Sequence, residues 1–278
     1  MNIPSQWIKQ AGVLISVTGL LTVIWGASPN QTISLTVYDI PSSKLSDVFD
    51  DYTIVQVSDL HNAKFGRDQS RLLSKIKAQN PDLIVLTGDM VGNWVPDYDQ
   101  ALILIQEAVK IAPVIVVDGN HDAQIDTYPF QKMAMIQAGA QVLSDEAIPI
   151  KIGNESFNLI GMKERFKVKD RGIFIKDLID PTRFNLLLAH HPESFQDYVS
   201  TQADLILTGH AHGGQFRFFG IPIYSPNQGL FPKYSAGSFT EGISTMIVSR
   251  GIGESVLPLR LFNPPELVVI KLKSTKKP

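Results

Sequence analysis

Apolar residues along this chain fall into short blocks separated by polar and glycine-containing stretches. Five blocks are rich in Val, Ile and Leu and have the length expected of buried strands. They lie at residues 53–57, 82–87, 113–117, 184–189 and 203–208. Residues 68–80 and 98–111 instead carry apolar side chains at helical spacing. Strands that alternate with helices predict the α/β fold class.

Two further patterns lie outside these blocks. Apolar and polar residues alternate over residues 32–40, which predicts a first strand there. After Gly213 the chain changes to short strand-like pieces interrupted by Gly and Pro. No internal repeat is visible, so we expect one globular unit.

A separate apolar run lies near the N-terminus. Residues 11–27 contain no charged residue, and their length is close to the roughly 17 to 25 residues that span a bilayer. Lys9 and the terminal amine precede the run, and positive charge on that side favours a cytoplasmic N-terminus. We therefore predict an uncleaved transmembrane signal anchor. A cleaved signal peptide and a buried or peripheral hydrophobic helix are the two alternatives.

These patterns divide the chain into five segments. We expect a short cytoplasmic N-terminus at 1–10, a transmembrane anchor at 11–27, a linker with the first strand at 28–48, the main domain at 49–273 and a basic tail at 274–278. The membrane is then an expected partner through the N-terminal helix. The predicted localisation is the cell membrane, as a single-pass protein whose domain is extracytoplasmic.

The charge balance argues against a nucleic-acid partner. The formal net charge is -2 and the sequence pI is about 6.3, whereas nucleic-acid binding usually needs a basic face that neutralises phosphates. No nucleic acid is therefore expected, and we expect a monomer. The chain contains no cysteine, which excludes disulfides, thiolate nucleophiles and thiolate metal ligands.

Each of the five predicted buried strands ends at residues that commonly bind metal ions. These residues are Asp59 and His61, Asp89, Asn120 and His121, His190 and His191, and His210 and His212. All six histidines of the chain belong to these clusters. Because ligands of α/β folds bind at the carboxyl ends of strands, we expect the clusters to converge at one edge of the sheet.

The spacing within the clusters suits metal binding. In Asp59-Leu60-His61 an extended chain places the two outer side chains on the same side, so that both can contact one ion. The same geometry applies to His210-Ala211-His212. Oxygen and imidazole ligands without thiolate suit manganese, zinc or iron. We favour manganese among the three.

The order of these blocks resembles a known family. The series D-L-H, G-D, G-N-H-D, H and G-H-A-H, within residues 52–272, is similar to the signature of calcineurin-like metallophosphoesterases. The stretches SDLHNAKFG, HGGQFR, PNQGLFPKY and SRGIG resemble the bacterial membrane-linked, YkuE-type branch. The resemblance implies a four-layer αββα sandwich, here preceded by the transmembrane helix, with the catalytic domain at 49–273.

The resemblance also implies a role for each candidate residue. It assigns Asp59, His61 and His212 to one metal, Asn120, His190 and His210 to the other, and Asp89 to both. His121 would be the catalytic histidine, oriented by Asp122, and His191 a neighbour of the substrate. The sequence departs from the common pattern at Gly92, where many members carry an acidic residue.

The implied cofactors are two divalent or trivalent metal ions per chain. The implied reaction is hydrolysis of a phosphomonoester, phosphodiester or pyrophosphate bond by attack of metal-bound hydroxide. A lipid-linked or nucleotide-sugar substrate at the membrane is the expected class. The alternatives are a non-catalytic binding module on the same fold and a nuclease-type phosphodiesterase.

Residues 216–239 contain an unusual number of aromatic side chains directly after the last metal block. The aromatic residues are Phe216, Phe218, Phe219, Tyr224, Phe231, Tyr234 and Phe239. One hypothesis is that they pack the core of the later strands. The other is that they form an apolar lip for a lipid-linked or nucleotide substrate.

Overall fold

A computed structural model describes residues 32–92, 98–165, 168, 170–254 and 260–276. Sixteen strands and five α-helices lie within these ranges. The strands are β1 Ser34–Ser42, β2 Thr53–Val57, β3 Leu83–Thr87, β4 Val114–Val117, β5 Gln141–Val142, β6 Glu146–Ile152, β7 Glu155–Gly161, β8 Asn185–Leu188, β9 Leu205–Thr208, β10 Arg217–Phe218, β11 Ile221–Pro222, β12 Tyr224–Ser225, β13 Gly229–Leu230, β14 Gly237–Glu241, β15 Ser244–Val248 and β16 Glu266–Ser274. The α-helices are α1 Ser70–Lys77, α2 Asp99–Ala108, α3 Asn120–Ala123, α4 Tyr128–Gln137 and α5 Phe195–Thr201.

Twelve of these strands form two mixed sheets of six. The first sheet has the order β1-β16-β2-β3-β4-β5, and the second has the order β14-β15-β9-β8-β7-β6. In the first sheet β2, β3, β4 and β5 are parallel, while β16 runs antiparallel to β2. The remaining four strands form the short hairpins β10–β11 and β12–β13.

Three apolar clusters define the layers. The middle cluster lies between the two sheets and joins Ile54 and Val85 of the first sheet to Leu186 of the second. A second cluster packs the other face of the first sheet against α1, α2 and α4. A third packs the other face of the second sheet against α5. Helices therefore cover the outer faces of two packed sheets.

The central strands are apolar at consecutive positions because both of their faces are covered. Ile54 of β2 lies between the sheets, whereas its neighbour Val55 packs towards the helices. Gln56 is a polar exception that is fully buried between the sheets. Its amide nitrogen donates to the hydroxyl of Thr87 and to the backbone carbonyl of Thr208, at 2.9 Å each, and so joins the two sheets.

The predicted α/β class is confirmed. The five predicted buried blocks correspond to β2, β3, β4, β8 and β9, and the two predicted helical stretches to α1 and α2. The strand predicted at 32–40 is β1. It pairs with β16 from Ser34 to Ser42, so this first strand is part of the first sheet.

The predicted anchor at 11–27 and the segment 1–10 lie outside the described residues. Among the helices that the structure does describe, none combines the length and the apolarity required to span a bilayer.

Candidate metal centre

The candidate ligands lie in loops that follow β2, β3, β4, β8 and β9. Carboxyl ends of parallel strands meet at one edge of a sheet, and here the edges of both sheets meet each other. The backbone N–H of His210, which follows β9, donates to Oδ1 of Asp59, which follows β2, at 3.0 Å. The structure thus brings the predicted clusters of both sheets together.

The backbone at five of the candidate ligands is left-handed. The φ angles are 55° at Asp59, 46° at His61, 54° at Asp89, 65° at His210 and 47° at His212. Such angles are uncommon for residues other than glycine and cost on the order of 1–3 kcal/mol each. The surrounding fold therefore holds these residues in conformations that local preferences disfavour.

Two glycines allow the loops to approach each other closely. A Cβ atom at Gly209 would overlap the side chains of Ser58 and Asp59. A Cβ atom at Gly119 would overlap the carboxylate of Asp89. No larger residue fits at either position without displacing a candidate ligand.

Asp59, His61 and His212 form a first group, with one ligand atom of each within 4.8 Å of the others. Nε2 of His61 lies 3.0 Å from Nε2 of His212, which lies 3.3 Å from Oδ1 of Asp59. Nδ1 of His61 lies 3.1 Å from the backbone carbonyl oxygen of Val91. Burial lowers the pKa of His61 to about 3, so the ring is neutral at pH 7. Its Nδ1 therefore donates to the carbonyl, and Nε2 presents a lone pair to the group.

Asp89, His190 and His210 form a second group. Nε2 of His190 lies 3.1 Å from Oδ2 of Asp89, and Nδ1 of His190 lies 2.8 Å from the backbone carbonyl oxygen of Thr87. Oδ2 of Asp89 is also 3.8 Å from Nε2 of His61 in the first group. The carboxylate of Asp89 therefore lies between the two groups.

Asn120 supplies the clearest test of whether a cation fits. Its Oδ1 atom is buried and has no hydrogen-bond partner among the described residues. Such an unsatisfied oxygen costs about 1–3 kcal/mol, which a cation beside it would remove. Divalent metal ions commonly bind amide oxygens, carboxylates and imidazoles, and hydrogen bonds from surrounding groups orient such ligands.

His121 and Asp122 are neighbours in sequence, but their side chains do not form the predicted pair. Nδ1 of His121 is buried with no hydrogen-bond partner among the described residues. Nε2 of His121 lies 3.7 Å from Oδ2 of Asp89, and its ring meets that of His61 edge-on at a centroid distance of 4.9 Å. A direct hydrogen bond between Asp122 and His121 is therefore not among the contacts of the described residues.

Asp122 instead ties two loops of the site together. It lies in the short helix α3, and its carboxylate turns back to accept hydrogen bonds from the backbone N–H of Gly119 at 3.0 Å and of Val91 at 3.2 Å. The hydroxyl of Tyr98 donates to it at 3.2 Å. Burial and the nearby charge of Asp89 raise the pKa of Asp122 to about 7. Its contacts fix the loops after β3 and β4 relative to each other.

His191 lies beside the second group but has different partners from His190. Its Nε2 is 3.0 Å from Oε1 of Glu164, and its Nδ1 is 2.8 Å from Oε1 of Glu193. Burial opposes its protonation, but the two carboxylates outweigh burial and raise the pKa of His191. Arg171 holds Glu164 through both terminal nitrogens at 3.3 Å.

Several of these site residues could not be recognised in the sequence. Glu164 and Arg171 follow no buried strand that ends in a ligand cluster, and Glu193 lies in the loop after β8, two residues beyond His191. Asn227 belongs to the turn between β12 and β13, yet its amide nitrogen lies 2.9 Å from Oε1 of Glu193 and 3.1 Å from Nε2 of His210. In the sequence, Asn227 lies in the turn-forming PNQG of the stretch PNQGLFPKY, which resembles the YkuE-type branch but assigns no role to this residue.

A cleft of about 800 Å³ leads from the metal centre. Its polar lining residues include Asp89, Asn120, His121 and His210. Six further lining side chains are apolar. These are Val168, Phe216, Ile223, Tyr224, Pro226 and Leu230.

The aromatic residues of 216–239 divide between the two hypotheses. Tyr234 is buried and contacts the rings of Phe195 and Phe239 at centroid distances of 5.6 and 5.0 Å, in the core of the second sheet. Phe219 and Phe231 are exposed, and Phe231 follows the cleft residue Leu230 in sequence. Core packing thus accounts for the later residues and not for the earlier ones.

Two mixed sheets covered by helices, with carboxylates and imidazoles at their common edge, define the class of metal-dependent phosphoester hydrolases. The model of the calcineurin-like phosphoesterase family matches residues 52–214, and the chain belongs to this family. The resemblance that the sequence blocks predicted is confirmed. The chain is accordingly an enzyme and not the non-catalytic module of the alternative hypothesis.

Curated relatives extend the match over most of the chain. The uncharacterized metallophosphoesterase YkuE of Bacillus subtilis is 31% identical over 260 residues, which cover 87% of this chain and 86% of YkuE. Phosphodiesterase YaeI of Escherichia coli is 30% identical over 233 residues, which cover 80% of this chain and 82% of YaeI. A solved dimetal phosphatase from Danio rerio aligns with a TM-score of 0.48 at 11% identity, over 73% of this chain and 88% of that one.

Proposed function

We propose that two metal ions bind at this edge and that Asp89 is shared between them. The first ion would be held by Asp59, His61 and His212, and the second by Asn120, His190 and His210. The observation that carries this proposal is the position of Asp89, whose Oδ2 lies 3.1 Å from Nε2 of His190 and 3.8 Å from Nε2 of His61. For the metal we propose manganese, with zinc and iron as the alternatives, since oxygen and imidazole ligands suit all three.

Two cations at these positions would orient the phosphoryl group, lower the pKa of a bound water and stabilise charge on the attacking and leaving oxygens. The protein itself supplies His121, which is partly exposed in the cleft. We assign Nε2 of His121 as the atom that gives a proton to the leaving oxygen. General acid catalysis of this kind contributes about 10²- to 10⁴-fold to the rate.

For the scissile bond we propose a phosphodiester or pyrophosphate, and for the substrate a lipid-linked one. The apolar lining of the cleft supports this substrate, because Phe216 and Leu230 would contact a group attached to a phosphate bound at the metal centre. The name of the relative YaeI, a phosphodiesterase, supports the bond type. A nucleotide-sugar conjugate is the competing substrate.

For the location we propose the outer face of the cell membrane. The support is the uncharged run at 11–27 with Lys9 before it, since basic flanks remain in the cytoplasm. An enzyme tethered in this way would meet lipid-linked phosphates more often than soluble cytoplasmic nucleotides.

Hydrolysis of bis(p-nitrophenyl) phosphate by the full-length protein tests the reaction. We expect activity with manganese, no activity after chelation, and recovery when manganese is returned. Asp89→Asn should lose at least about a hundredfold in rate, as expected when groups that stabilise the transition state are displaced. Asp126→Asn, a change of the same type at an exposed aspartate in the loop after α3, should retain the wild-type rate. Full activity of Asp89→Asn would contradict the proposed site.

The substrate class needs a separate comparison. Detergent-solubilised lipid pyrophosphates and diesters should be hydrolysed with a higher kcat/KM than UDP-sugars of the same bond type. A higher kcat/KM for the UDP-sugars would favour the nucleotide-sugar conjugate and leave the metal chemistry unaffected.

A further inference from the structure

The chain enters the fold at the edge that carries the metal centre. Strand β1 is parallel to β16 and pairs Ser34 with Glu266. Strand β16 is antiparallel to β2 and pairs Val268 with Gln56, near the carboxyl end of β2. The amino end of β1 therefore lies at the same edge as Asp59, which follows β2.

This entry point limits how far the domain can lie from the apolar run at 11–27. Between residues 27 and 34 the chain spans at most about 25 Å, because an extended residue covers about 3.6 Å. A bilayer that holds residues 11–27 would consequently face the edge with the metal centre.

The same edge carries a group of exposed apolar side chains on two adjoining hairpins. We call this group the hairpin surface. It consists of Phe218, Phe219, Ile221, Tyr224, Leu230 and Phe231, whose exposed fractions range from 44% to 103%. Within β10–β11 Phe218 pairs with Ile221, and within β12–β13 Tyr224 pairs with Leu230, so the apolar residues adjoin one another. Tyr224 and Leu230 also line the cleft.

Direct contacts join the hairpin surface to the start of β1. The ring of Phe218 packs against that of Phe262 at a centroid distance of 5.9 Å. Three residues further along, the carbonyl oxygen of Pro265 accepts a hydrogen bond from the backbone N–H of Ser34 at 2.8 Å. The hairpin surface and the entry point are therefore neighbours on the same side of the domain.

Neither the turn conformation nor packing within the domain explains a phenylalanine at position 219. It occupies the two-residue turn between β10 and β11 together with Gly220, with φ angles of 50° and 82°. Turns with two positive φ angles favour Asn-Gly. The side chain of Phe219 is fully exposed, so it gains no packing within the domain. Phe231 is similar, with a φ of 54° and an exposed fraction of 67%.

We propose that the hairpin surface docks on the lipid bilayer, so that the cleft opens directly onto the membrane. Aromatic and aliphatic side chains enter the interfacial region of bilayers, and the exposed Lys233 next to them suits anionic headgroups. This proposal rests on the proposed function, because docking serves catalysis only if the substrate is lipid-linked. Docking would bring that substrate to the apolar lining residues of the cleft without the lipid leaving the membrane.

The absence of cysteine from the chain makes a direct test possible. Phe219→Cys is introduced into the full-length protein, labelled with an environment-sensitive fluorophore and reconstituted in vesicles of equal parts phosphatidylglycerol and phosphatidylcholine. Val48→Cys is the matched control, because Val48 is also an exposed apolar residue but precedes the amino end of β2, at the opposite edge. Quenching by nitroxide-labelled phospholipid is compared with quenching by aqueous iodide.

We expect the label at residue 219 to be quenched at least about threefold more by the nitroxide lipid than the label at residue 48, and to be protected from iodide. If iodide quenches both labels equally, the proposal is wrong. Protection from iodide without lipid quenching would mean that residues 11–27 or a second protein copy cover the surface, and would overturn the proposal as well.

A second variant separates docking from folding and from catalysis. Phe219→Asn suits the turn, so its unfolding midpoint should equal or exceed that of the wild type, and hydrolysis of bis(p-nitrophenyl) phosphate should be unchanged. In a protein labelled at Phe231→Cys, the same variant should at least halve the lipid quenching. Unchanged quenching would exclude Phe219 from the docking surface. Because no quenching measurement depends on turnover, a failure of the proposed reaction is distinguished from a failure of docking.

Discussion

The carboxylate of Asp122 accepts a hydrogen bond from the backbone N–H of Gly119, with Oδ2 and the amide nitrogen 3.0 Å apart. Its other oxygen accepts from the backbone N–H of Val91 at 3.2 Å. Gly119 precedes Asn120, and Val91 follows Asp89 by two residues. One buried carboxylate thereby sets the separation of two loops that carry candidate ligands.

Asp122→Asn should therefore loosen the two loops that carry candidate ligands. The amide would direct an N–H group towards backbone donors, which costs about 1–3 kcal/mol when a buried hydrogen bond is lost. We expect a lower thermal midpoint and weaker metal binding, measured by calorimetry and by metal titration. Tyr98→Phe removes only the hydroxyl contact and should lose about 1 kcal/mol with metal content unchanged. Wild-type stability with activity alone reduced would favour the idea that Asp122 orients His121.

Removal of the metal ions should lower stability. Ligand nitrogens and oxygens converge around Asp89 and Asn120, and a cation there binds only the folded protein. At a free metal concentration about 100 times the Kd, such binding adds about 2.7 kcal/mol to the free energy of unfolding. Calorimetry with and without chelator should show this shift in the wild type and little shift in Asp89→Asn. Equal shifts in both proteins would place the stabilising ions elsewhere.

His121 should affect catalysis without affecting metal content. His121→Ala removes the proposed proton donor, so the rate should fall most for esters with poor leaving groups, by about 10²-fold or more. Activated nitrophenyl esters should lose less. His210→Ala is the comparison, because it removes a proposed ligand and should empty a site in elemental analysis. Loss of a metal ion in a folded His121→Ala protein would make His121 a ligand instead.

Substitutions of the adjacent residues His190 and His191 should also differ in their effect on metal content. Nδ1 of His190 contacts the carbonyl of Thr87 while its Nε2 meets Asp89, whereas both nitrogens of His191 meet carboxylates. His190→Ala should cause the larger loss of metal. His191→Ala should mainly lower the thermal midpoint, because it leaves Glu164 without its imidazole partner. The reverse order in elemental analysis would contradict the assignment.

Much of the fold could be predicted because the buried strands are continuous apolar blocks, each followed by a polar cluster. Parallel strands of one sheet place their carboxyl ends together, so the approach of Asp59 to Asp89 followed from position alone. His190 follows β8 of the second sheet, so its approach to them depends on how the two sheets pack. The pairing of β1 with β16 could not be predicted in the same way. It joins residues at opposite ends of the chain, and no local pattern specifies such a register.

Site contacts made by loops were also beyond prediction. Asp122 follows His121 in sequence, but its side chain is directed by the geometry of α3 towards Gly119. Glu193 and Asn227 meet only because a turn between two short strands reaches the loop after β8. Such contacts depend on tertiary structure. The high aromatic content of residues 216–239 could be seen in the sequence, but the sequence did not show which of these side chains are in the core and which are on the surface.

The final prediction concerns the side of the membrane on which the domain lies. Lys9 precedes the uncharged run at 11–27, and no Lys or Arg occurs between Gly26 and Ser43, so the chain should cross with its N-terminus in the cytoplasm. The full-length protein should then sediment with membranes, and protease added to intact protoplasts should remove the domain. A cytoplasmic protein in the same protoplasts must stay intact, as a control for lysis. Cleavage only after lysis would invert the orientation. An extracytoplasmic lipid-linked substrate would then be excluded, while the metal centre and the docking of the hairpin surface would remain to be judged by their own tests.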